Sequence, residues 1–74
     1  MNEHDCVVLA RPIPELGLKE GDVGAIVFVY EGHHAYEVEF VSGDGVTLGV
    51  LTLVPKDVRP LAGGEILHAR KTSA

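Results

Sequence analysis

The cleanest pattern in the chain is Ala35-Tyr36-Glu37-Val38-Glu39-Phe40, where apolar and acidic residues alternate strictly. A two-residue period belongs to a strand with one buried and one solvated face, so Tyr36, Val38 and Phe40 are expected inward and Glu37 and Glu39 outward. Four other stretches carry weaker strand patterns. Asp5 to Ala10 is short and mostly apolar, Val23 to Tyr30 and Val46 to Val54 place apolar residues on both faces, and Val58 to Leu61 reads as a brief closing strand.

The segments between these runs are turns. Arg11 to Asp22 contains Pro12, Pro14, Gly17 and Gly21, too much punctuation for a helix or an unbroken strand, and is expected to be a long excursion loop. Leu16 and Leu18 lie two apart within it and are expected to tuck it back onto the core. The stretch Gly17-Leu18-Lys19-Glu20-Gly21-Asp22-Val23-Gly24 lacks the Gly-Lys-Ser/Thr ending of a phosphate loop and leads into a strand rather than a helix, so its role is architectural. Glu31-Gly32-His33-His34 makes the next turn, and Ser42-Gly43-Asp44-Gly45 is a strong hairpin signal because it tolerates left-handed conformations. Gly49, in the middle of its strand, marks a bulge or bend, and Pro55-Lys56-Asp57 can form a single helical turn.

This order predicts an all-β fold, a small five-stranded SH3-like barrel over residues 1–61, with a long loop after the first strand and one short helical turn before the last. Residues 62–74 are polar and without a persistent period, so a mostly mobile tail is expected, in which Glu65 to His68 could add a strand or one turn.

At 74 residues there is room for one core. A chain of this size buries only about 60% of the surface its unfolded form exposes, which disfavours an enzyme with a deep cleft. The lone Cys6 excludes an internal disulfide framework, the first residues lack the pattern of a secretion signal, and the longest apolar run, Ala25 to Tyr30, is too short to cross a bilayer as a helix. A cytoplasmic location is expected, without membrane contact.

Charge narrows the partners. The formal net charge is −5; through Leu61, ten acids stand against Arg11, Lys19, Lys56 and Arg59, leaving six net negatives (10 − 4). Such a body repels phosphate backbones, so nucleic acid is disfavoured and a basic protein partner favoured.

No candidate chemistry survives its spacing. His33 and His34 are adjacent, so they point apart on an extended chain, and no further ligand completes a tetrahedral set. Cys6 lies beside Asp5 in an apolar strand, without the cation or paired base that activates a thiol, and is expected to be a buried core residue. Glu37 and Glu39 share a strand face about 6 to 7 Å apart, but as solvated carboxylates they lack the environment that separates an acid from a base. No catalytic, cofactor-binding or metal-binding residue is assigned, and no small-molecule substrate is evident.

Surplus apolar surface remains. If Val27 and Val29 point inward, Ile26, Phe28 and Tyr30 point outward; the opposite register exposes valines instead. The loop or the tail could cover this surface, or it could be an interface. The candidate interaction surface is Ile26, Phe28, Tyr30, Glu37, Glu39 and Val50.

The chain resembles the small bacterial domain-of-unknown-function family DUF4926. The resemblance rests on Asp5-Cys6-Val7-Val8-Leu9, Gly17-Leu18 with the following Lys19-Glu20-Gly21-Asp22-Val23-Gly24, Ala35 to Phe40, and Thr52-Leu53 through Val58-Arg59-Pro60, spanning about residues 4–61. It implies a compact β-barrel and no settled activity.

Two functional classes follow from the sequence. The first is a non-catalytic module that binds a protein, or weakly binds itself, through an apolar strand face with an acidic rim; a sharper form is an acidic inhibitor or antitoxin-like partner of a basic protein. The alternative is an RNA- or ribosome-associated KOW-like barrel, gathering Lys19, Lys56, Arg59, Arg70 and Lys71 into one patch.

Overall fold

The structure of the chain, a computed structural model, describes residues 1–71. Five strands form, β1 (Cys6–Leu9), β2 (Val23–Val29), β3 (Tyr36–Val41), β4 (Thr47–Leu53) and β5 (Val58–Pro60), each end within one residue of its sequence pattern. All neighbours pair antiparallel in one sheet ordered β4-β3-β2-β1-β5. The all-β, five-stranded expectation holds. β4 and β5 are the two edges, and no ladder joins them among the described residues.

The alternation in β3 does what its period demands. Tyr36, Val38 and Phe40 are buried, and they meet Val7 and Leu9 of β1, Ile26 of β2, Leu53 of β4 and Val58 of β5 in one core. Side chains buried as completely as Phe40, Leu9, Ile26, Val7 and Val38 contribute about 1.5–3 kcal/mol each relative to exposure. Gly24 is required by this packing, since a Cβ there would stand 2.7 Å from Val38 Cγ1 and 2.8 Å from Phe40 Cε1.

The excursion loop closes on itself and onto the core. Ile13 and Leu18 exchange backbone hydrogen bonds of 2.9 and 3.1 Å around a 3-10 turn at Pro14–Leu16, and both are buried. Gly17 ends that turn at φ 68°, a left-handed conformation that glycine adopts without a Cβ penalty. Leu16 packs against the core too, occupying the space beside Gly49 that a larger residue would fill.

Two register shifts bend the sheet. In β2, Ile26 pairs with Val38 and Phe28 with Glu37, leaving Val27 as the extra residue. In β4, Gly49 pairs with Phe40 and Thr47 with Val41, leaving Leu48 as the extra residue, one position from the expected irregularity at Gly49.

Cys6 corrects the sequence reading. Val7 and Leu9 take the core-facing positions of β1; Cys6, the first residue of the strand, falls on the opposite face with Val8 and, unlike the buried Val8, is exposed.

Ion pairs tie down the segments outside the sheet. The expected turn at Pro55–Asp57 is a 3-10 turn; Asp57 there is buried, accepts the Val54 N–H at 3.2 Å, and accepts Arg11 Nε at 2.8 Å. In the tail, Gly63 and Gly64 form a turn, and Glu65 to His68 adopt no strand or helical turn. Arg59 donates two hydrogen bonds of 2.6 Å to Glu65, while Arg70 donates to Asp22 and, at 2.9 Å, to the Gly17 carbonyl. The rest of the tail expectation, over residues 72–74, lies outside the described residues.

Candidate interaction face

Bulging at Val27 decides which apolar side chains reach the surface. Without the extra residue, Ile26 and Phe28 would share one face; with it, Ile26 is fully buried while Val27 and Phe28 both point out. Ile26 is therefore removed from the expected surface. Phe28 is 48% exposed and Tyr30 40%. Their rings meet edge to face with centroids 5.0 Å apart, a favourable aromatic arrangement.

Cross-strand pairing brings the other expected residues to the same face. Phe28 of β2 lies opposite Glu37 of β3, which lies opposite Thr52 of β4; the next outward row is Ala25, Glu39 and Val50. Val50 is 48% exposed. Hydroxyl groups hold the two carboxylates in place: Glu37 accepts from Tyr30 at 3.0 Å and from Thr52, and Glu39 accepts from Thr47 at 2.9 Å. The bond to the Glu37 carboxylate keeps the Tyr30 proton in place above its ordinary range. Of the six expected residues, five converge on one outer face and Ile26 lies beneath it.

Neither loop nor tail covers this face among the described residues. The tail instead runs by the Gly17–Asp22 region and forms one wall of a groove of about 700 Å³, whose other walls include Leu16, Val23, Phe40 and Leu48. Two of the groove's charged residues, Asp22 and Arg70, are paired with each other, and the Arg70 guanidinium holds the Asp22 carboxyl below its usual range. Sequence reading missed this groove because the contact spans residues 48 positions apart and no periodicity signals it.

The remaining candidates stay separate. His33 and His34 are exposed on the turn after β2, where the His33 ring packs edge-on against Tyr36 at 6.2 Å. No group of three or more His, Cys, Asp or Glu side chains is placed to hold a metal ion among the described residues.

Electrostatics are lopsided. From Glu20 to Pro55 the chain has no Lys or Arg, yet it contains Glu20, Asp22, Glu31, Glu37, Glu39 and Asp44. The half of the sheet formed by β2, β3 and β4 is therefore acidic and contains no Lys or Arg. Elsewhere, Arg11, Arg59 and Arg70 each pair with a carboxylate of the chain itself.

Fold and face together define a small all-β protein whose five-stranded antiparallel sheet exposes an apolar and acidic surface. The chain belongs to the family described as "Domain of unknown function (DUF4926)", whose model matches residues 3–60. No curated protein and no solved structure matches it.

Proposed function

We propose that the protein is a non-catalytic interaction module that binds a basic protein through the outer face of β2, β3 and β4. One observation carries the reading: Phe28, Tyr30 and Val50 stand exposed around two glutamates already oriented by hydroxyl donors. Exposed aromatics beside fixed polar acceptors are the parts from which interface hot spots are built. An inhibitor or antitoxin-like role toward a basic partner fits the same chemistry. No helix among the described residues is long and apolar enough to cross a membrane.

The RNA-binding alternative receives less support, because two of the five cations its patch would gather, Arg59 and Arg70, are already engaged with Glu65 and Asp22. Affinity capture from a lysate of the source organism tests the proposal. The wild-type chain is expected to retain a basic protein that Phe28→Ser and Glu37→Gln/Glu39→Gln variants release. Equal retention by all three chains contradicts it.

A further inference from the structure

The two edges of the sheet are treated differently. β5 has three residues, among them Arg59 and Pro60, and so carries the short length, charge and proline with which proteins blunt an exposed edge. β4 has seven residues, Thr47-Leu48-Gly49-Val50-Leu51-Thr52-Leu53, with no charge and no proline. Its single irregularity lies near its start, at Leu48, and pairing runs regularly from Gly49 to Leu53. Half of the N–H and C=O groups of a strand point to each side, so those of β4 that face away from β3 form a row of donors and acceptors. Among the described residues, no backbone hydrogen bond outside the sheet engages residues 48–53.

We infer that the free edge of β4 accepts an extended, cationic segment of the partner protein as a sixth strand. This deepens the proposed function and rests on the same outer face. Main-chain hydrogen bonds along an open edge supply affinity without sequence preference, and side chains at alternate positions supply selectivity. On the outer face, the added strand would lie next to Val50 and Thr52, with Glu39 and Glu37 one strand further in. Neighbouring strands are about 4.8 Å apart, so Lys or Arg side chains at alternate positions span Val50 or Thr52 and reach those carboxylates.

Charge selects this occupant over a second copy of the chain. Joining two β4 edges would place two acidic sheet halves side by side, each without a Lys or Arg from Glu20 to Pro55, in molecules of net charge −5. A cationic strand instead meets the acids the chain leaves uncompensated.

The test uses the full chain, labelled for NMR, and the synthetic peptide acetyl-Lys-Thr-Lys-Val-Lys-Thr-Lys-amide. The expected result is saturable shifts in β4 amides from Gly49 to Leu53, slowed exchange of those amides, and loss of both when every peptide N–H is methylated. Glu37→Gln/Glu39→Gln is expected to weaken binding about three- to tenfold at low salt, since each exposed ion pair adds little. Equal binding by the methylated peptide, or shifts confined to Phe28 and Tyr30, overturns edge pairing while leaving the outer face as a binding surface. Absence of shifts anywhere overturns both readings. Concentration-dependent shifts of β4 amides without peptide identify a second copy as the occupant and overturn the inference.

Discussion

Val27 shows how a single inserted residue redirects its neighbours. Strict alternation through β2 leaves two registers open, and neither places Ile26 inside and Phe28 outside, as found. A bulge depends on the partner strand, so it is invisible in a run that is apolar on both faces. The same reasoning explains Cys6, whose facing follows from its place in β1 rather than from its apolar neighbours. Strict alternation in Tyr36 to Phe40, by contrast, made the facing of five residues legible at once. A paired substitution checks the β2 assignment. Ile26→Ala is expected to cost about 2–5 kcal/mol by opening a core cavity, whereas Phe28→Ser is expected to stay within about 1 kcal/mol of wild type in urea unfolding. Equal losses at the two positions would show that both side chains are buried.

At the scale of elements, the turn at Pro55–Asp57 was legible from its proline, but the work of Asp57 was not. Its carboxylate joins the start of the excursion loop, through Arg11, to the backbone entering the closing turn, through Val54. That link spans 46 positions in the chain and has no local signature. Hydrogen bonding to Arg11 holds the Asp57 carboxyl below its ordinary value of 3.8. A carboxyl held low adds stability above its unfolded pKa, and that stability is lost as pH falls toward the folded value. Asp57→Asn is therefore expected to lower stability by about 1–2 kcal/mol at neutral pH, through the weakened pair and cap, and to narrow its gap from wild type in acid. Thermal unfolding at neutral and acid pH measures this, and a gap that widens in acid contradicts the assignment.

Over the whole molecule, three such pairs act together. Glu65 is brought down from 4.5 to about 2, mainly by Arg59, and Asp22 lies below 3.8, mainly because of Arg70. With Asp57 they make acid the expected weakness of the fold, with stability falling as pH drops from about 4.5 toward 2. An unfolding midpoint that stays constant across that interval would show that the pairs do not hold in solution. These contacts also consume the arginines, Arg70 on Asp22, and among the described residues Glu37 and Glu39 have hydroxyl partners and no paired cation. Overall charge was plain from composition; its concentration beside Phe28, Tyr30 and Val50 emerged only when strand pairing aligned Glu37 and Glu39 with them.

Photo-crosslinking from a reactive amino acid substituted at Phe28, with one at Gly63 as control, tests the interaction face most directly. In a lysate of the source organism, position 28 is expected to give one discrete adduct with a basic protein, reduced by Glu37→Gln/Glu39→Gln, and position 63 to give none. No adduct from position 28, or the same adducts from both positions, would contradict the assignment of this face as the binding surface.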